Sequence, residues 1–126
     1  MAEIESLSEG LVFISETDAP VTAFSARGIG DASAESIAQA ASISNDATPE
    51  VRPASLFFER VSAMKEWYGD KETERAKTFA ELYDLLNEGL RDLRTYRFGQ
   101  VRVDIIVAGN DGEGNAAGIR TFAVET

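Results

Sequence analysis

Between positions 70 and 94 the apolar residues Ala76, Phe79, Ala80, Tyr83, Leu86, Leu90 and Leu93 recur at helical spacing, with Lys77, Glu81, Asp84, Glu88 and Asp92 on the other side. That is the 3.6-residue repeat of an amphipathic helix, and it predicts one from Lys71 to about Leu93. Asp70 is the expected N-cap. Glu72 and Glu74 in the first turn and Arg91 and Arg94 in the last suit the helix dipole. Leu82 and Leu85 widen the stripe beyond a coiled-coil seam, so the helix should lie on a sheet. Two later runs supply strands. Val101 to Ala108 alternates and then turns wholly apolar at Ile105-Ile106-Val107, which predicts a central strand; Ala117 to Val124 alternates more openly. Asn110 to Asn115 between them is rich in turn formers, so an antiparallel hairpin is expected.

The first half is less regular. Ile4, Leu7 and Leu11 have helical spacing, but Leu11 to Ile14 is a short apolar run that fits the end of a helix or a strand equally well. Ser15 to Pro20 reads as a loop and Val21 to Ala26 as a strand, stopped by Gly28 and Gly30. Asp31 or Ser33 can cap an Ala-rich helix from Ala34 to about Ala41. Residues 42–54, with Ser, Asn, Asp, Thr and two Pro, form the expected long loop. No internal repeat or second domain is visible, and residues 1–126 are read as one domain.

With 126 residues the chain can bury one ordinary core unaided. It has neither Cys nor His, which excludes a disulfide scaffold, a zinc finger, a thiol nucleophile and every imidazole-based triad. An enzyme built from it would depend on carboxylates. The net charge is −10, and residues 1–50 hold nine acids against the single base Arg27. Such a field repels phosphate backbones and anionic membranes and attracts cationic proteins or metal ions. Direct nucleic-acid binding is therefore not expected. No run approaches the ~20 apolar residues of a membrane span, and the first residues lack a basic leader, so a cytoplasmic protein is expected.

Several groupings invite a chemical reading. Asn110-Asp111-Gly112-Glu113-Gly114-Asn115 alternates oxygen donors with Gly but lacks the spacing and the distant Glu of an EF-hand, and is expected to be a plain connection. Gly28-Ile29-Gly30 lacks the third glycine of a phosphate cradle, and Asp31 would repel an anion there. Pairs such as Glu16 with Asp18, or Asp70 with Glu72, arise by chance in a chain with 22 acids. Trp67, the only Trp, precedes the long helix beside Tyr68. It fits either a ring closing the edge of the core or an exposed anchor for a partner. After the last strand, Glu125-Thr126 would present a carboxylate, a hydroxyl and the α-carboxylate, hard oxygens suited to a metal-containing cleft on another protein.

Glu9 to Glu16, Ser55-Leu56-Phe57-Phe58, Glu66-Trp67-Tyr68, Tyr96 to Val101 and the closing stretch from Gly109 to Thr126 resemble, in order and spacing, the nuclease A inhibitor (NuiA-like) family. The resemblance covers about residues 9–20 and 55–126. It implies an α+β fold: a three-layer α/β/α sandwich with a largely antiparallel sheet, akin to the class-one pathogenesis-related proteins. It implies a non-enzymatic inhibitor that blocks the active-site cleft of a sugar-nonspecific DNA/RNA endonuclease. Glu16 would meet a nuclease arginine, Trp67 would pack at the interface, and Thr126 would reach the nuclease's catalytic magnesium. The chain would carry no cofactor of its own. Two other readings stand beside it: the same fold binding a different cationic protein through its acidic first half, and, less favoured, a small carboxylate-dependent enzyme.

Overall fold

The run Leu11 to Ile14, open between helix and strand in the sequence, is a strand in the computed structural model, which describes residues 2–14, 18–28, 33–43, 49–63 and 65–124. Helix α1 (Ala2–Ser8) ends at Gly10, whose φ of 74° lets the chain reverse. Strand β1 (Val12–Ile14) then pairs antiparallel with β2 (Asp18–Pro20), so part of the expected loop at 15–20 is strand. Strand β3 (Thr22–Ala26) follows, and helix α2 (Ala34–Ala40) is capped by the Ser33 hydroxyl, which accepts from the Ser36 amide at 3.2 Å.

The expected loop at 42–54 is also partly ordered. Pro49–Pro53 forms β4, an edge strand with every residue exposed and a proline at each end, where a missing N–H costs no ladder bond and discourages pairing with another chain. Helix α3 (Ala54–Val61) turns Ala54, Phe57 and Phe58 inward.

The long helix α4 runs from Asp70 to Gly89, shorter than the periodicity suggests. Its N-cap is Gly69, not Asp70: Glu72 reaches back so that its Oε2 accepts the Gly69 amide at 3.0 Å. At the other end Leu90 is extended, and Arg91 opens β5 (Arg91–Phe98). Leu90 and Leu93 pack against the core without being helical, because apolar residues three apart fit either element. Arg91 and Arg94 are therefore exposed strand residues and do not face the helix dipole. Asp92, with φ of 54°, lies in the irregularity that shifts the β5 register between Arg91 and Arg94.

Strands β6 (Arg102–Asn110) and β7 (Ala116–Val124) make the expected hairpin, and the antiparallel sheet has the order β3-β7-β6-β5-β4. The central place of β6 explains its composition. Val103, Ile105 and Val107 enter one core with Phe57, Phe58, Phe79, Leu82 and Leu86; Ile106 and Ala108 enter a second with Phe24, Ile37, Tyr96 and Phe98. A strand covered on both faces reads as a continuous apolar run. Helices α1, α3 and α4 contribute to the first core and α2 to the second. In the first, Phe57 stacks on Phe13 at 5.5 Å and meets Phe79 edge-on at 6.2 Å, while Phe58 stacks on Tyr83 at 4.4 Å, tying β1, α3 and α4 together.

Candidate partner-binding surface

Trp67 lies on the connection between α3 and α4 and is 74% exposed, which removes it from the core. It is held from below. The Tyr68 amide bonds the Lys65 carbonyl at 3.0 Å, closing a turn, and the half-buried Tyr68 ring meets the indole edge-on at 4.7 Å and 88°. The indole is thus presented with its bulk in water, an arrangement that costs exposed apolar area unless something covers it.

Beside it opens a groove of about 420 Å³. Val12, Phe13, Val61, Ala76 and Phe79 supply its apolar lining, and Arg60, Lys65 and Arg75 bring three cations to it. Arg60 stands over the Phe13 ring, its guanidinium carbon 5.5 Å from the centroid. Glu72 is the one acid among the described residues of the lining, and its carboxylate accepts the Gly69 amide. No pattern in the sequence marks these three bases. Each is an ordinary surface residue in its own segment, and only the packing of α3 against α4 gathers them.

The strand directions place this groove relative to the other expected anchors. β5 starts opposite Asn110, so α4 ends near the 111–115 connection and begins at the far end of the sheet, roughly 30 Å away at the rise of a helix. β7 ends at that far end, Val124 opposite Arg102. β3 sets Thr22 opposite Arg120 and runs away from it, and β2, which precedes β3, contacts β7. Trp67, the Ile14 and Asp18 end of the β1–β2 ribbon, and Val124 therefore share one end of the molecule. Glu16 and Thr126, the other two residues expected to meet a partner, lie outside the described residues, as do Ile29, Gly30 and Asp31.

In the 111–115 connection the side-chain oxygens of Asp111 and Asn115 are already used. Asp111 Oδ1 accepts the amides of Glu113 at 2.8 Å and Asn115 at 3.2 Å, and its Oδ2 accepts from the Asn115 side chain at 3.1 Å. The Glu113 amide first, then the Asn115 side chain, hold the Asp111 carboxyl below the usual carboxylate range. Asn110 Oδ1 accepts the Gly112 amide at 3.1 Å. Among the described residues no group of three or more His, Cys, Asp or Glu is placed to hold a metal ion, and no helix is long and apolar enough to cross a membrane.

An exposed aromatic beside a mixed apolar and cationic groove is a candidate surface for docking. Sequence comparison says of which kind: the chain belongs to the family of nuclease A inhibitor-like proteins, whose sequence profile matches residues 1–126, the whole chain. Membership points to a nuclease inhibitor with a nuclease as partner, and to a protein that binds without catalysing. Comparison with curated proteins gives no match.

Proposed function

We propose that this protein, acting as one domain in the cytoplasm, inhibits a sugar-nonspecific DNA/RNA endonuclease by filling its active-site cleft. The observation that carries this reading is the exposed indole of Trp67, at the end of the molecule where β7 reaches Val124 and where Ile14 and Asp18 of the β1–β2 ribbon lie. A nuclease cleft is cationic and holds a hard metal, because it receives phosphate oxygens. Carboxylates presented on a folded surface occupy the same potential without offering a scissile bond. In this reading Glu16 pairs with a nuclease arginine, Trp67 is the desolvated anchor, and Thr126 donates a hard oxygen in place of a water on the nuclease magnesium. Helices contributing to both cores of the sheet support the wider reading of a three-layer α/β/α sandwich akin to the class-one pathogenesis-related proteins.

The terminus gives the sharpest test. β7 is paired along its whole length up to Val124, and Thr126 follows two places on in the sequence. Deleting Thr126, or adding a C-terminal tag, is expected to leave the melting temperature unchanged and weaken inhibition strongly with magnesium present. The loss should shrink in binding assays with the metal-stripped nuclease. Equal losses with and without magnesium would remove the metal contact from the mechanism.

A further inference from the structure

An inhibitor with a net charge of −10 invites a description in which acids do all the recognition. The groove beside Trp67 has the opposite sign. Three cations, Arg60, Lys65 and Arg75, border it, and the carboxylate of Glu72 is taken up by the helix cap. No ion pair within 4.0 Å joins any of these cations to another described residue, although Arg52 and Arg102 elsewhere do have such partners. Between the cations lie Val12, Phe13, Val61, Ala76 and Phe79, with the faces of Trp67 and Tyr68 at the rim.

From this we infer that the groove receives an acidic segment of the partner nuclease, one that carries an apolar side chain between its carboxylates. The inference rests on the inhibitor reading and adds a second contact, opposite in sign, beside the cleft. The volume of about 420 Å³ holds one or two side chains, not a folded element. A nucleic acid would also find stacking faces and cations here. It would bring a row of phosphates along an acidic molecule, whereas a short segment brings its carboxylates only where the cations stand. Exposed charges are screened beyond ~8 Å at physiological ionic strength, so the local cations govern what enters the groove while the remote acids govern approach.

The consequence is a response with the sign opposite to that of simple acidic steering. The double variant Arg60→Glu/Lys65→Glu makes the chain more acidic at two exposed positions. If acids alone recognised a cationic nuclease, it would bind as well or better. Docking of an acidic segment instead makes it a weaker inhibitor by roughly tenfold or more, chiefly through faster dissociation. Since Arg60 also covers Phe13, Lys65→Glu alone serves as a second variant, with thermal melts confirming the fold of both.

Trp67 is the only tryptophan, so its emission reports on this groove alone. The full chain would be titrated with the blocked peptide Glu-Asp-Phe-Glu, with its amide counterpart Gln-Asn-Phe-Gln, and with oligothymidylate. A saturable shift with the acidic peptide that is absent with the amide peptide and in the double variant supports the inference. A stronger response to oligothymidylate, or inhibition unchanged or improved in both variants, overturns it. If the wild-type chain inhibits no sugar-nonspecific nuclease, the inhibitor reading fails by itself. The acidic-peptide titration then decides the groove: a saturable shift sustains it as a site for acidic segments, and no shift removes it.

Discussion

Trp67 and Thr121 are among the described side chains that stand in environments opposite to their chemistry. Trp67 is a large apolar ring in water, 74% exposed, and Thr121 is a hydroxyl in the core, 4% exposed, whose Oγ1 has no hydrogen-bond partner. The first is a cost that a partner covering the ring would relieve. Trp67→Ala is expected to change folding stability by less than about 1 kcal/mol, as exposed substitutions do. It should weaken inhibition by about 2 kcal/mol or more, as loss of a central aromatic anchor does. Denaturant melts beside nuclease assays check both. The second is a cost that no other described residue relieves. Thr121 faces the first core opposite Ile105 on β6, and valine has nearly its shape without the unpaired hydroxyl. Thr121→Val should therefore raise stability by about 1 kcal/mol, read as a higher denaturant midpoint at unchanged slope. A neutral or destabilising result would mean that the hydroxyl finds a partner in solution.

At the scale of elements, β6 and β7 depend on a connection whose order rests on one carboxylate. Asp111 accepts two backbone amides and a side-chain amide across the turn, and Asn115 Oδ1 accepts the Gly28 amide at 3.2 Å, tying the turn to the end of β3. These bonds favour the ionised form, so the folded pKa lies below the unfolded one near 3.8. The turn's contribution is then fully present above the unfolded pKa and is lost as the pH falls through the lowered folded value. The Glu113 and Asn115 amides, followed by NMR in acid, should keep their native shifts at pH values where ordinary carboxylates are already protonated, and lose them only below. In Asp111→Asn that acid transition should vanish. A transition at the ordinary carboxylate pH would mean that the bonds do not persist in solution.

For the whole molecule the relevant quantity is charge. A net −10, most of it in residues 1–50, gives a long-range field that would attract a cationic partner. The association rate should fall as salt rises, while the dissociation rate, set by short contacts such as the Trp67 anchor, changes much less. Stopped-flow association at low and high ionic strength separates the two. A salt-independent on-rate would confine the acidic surplus to solubility. The groove cations do not alter this expectation, because at a distance they only reduce a net charge that stays strongly negative.

What the sequence by itself determined is what short-range chemistry can specify. Three consecutive apolar residues at Ile105-Ile106-Val107 require cover on both faces, which made β6 central; turn formers at 110–115 made the hairpin; Asp31 and Ser33 marked the start of α2, the structure choosing Ser33 as its cap; and the 3.6 repeat gave the body of α4. Tertiary structure decided the rest. Four apolar residues at 11–14 have no periodicity to distinguish helix from strand until β2 pairs with them. Leu90 and Leu93 suit a helix face and an inward strand face alike, so the end of α4 was settled by the pairing of β5 with β6 and not by pattern. Of the candidate site, the sequence showed that Trp67 sat on a connection, but exposure depends on what packs around a residue. The groove beside it was not legible at all, because Arg60, Lys65 and Arg75 become neighbours only when α3 and the start of α4 are laid against each other.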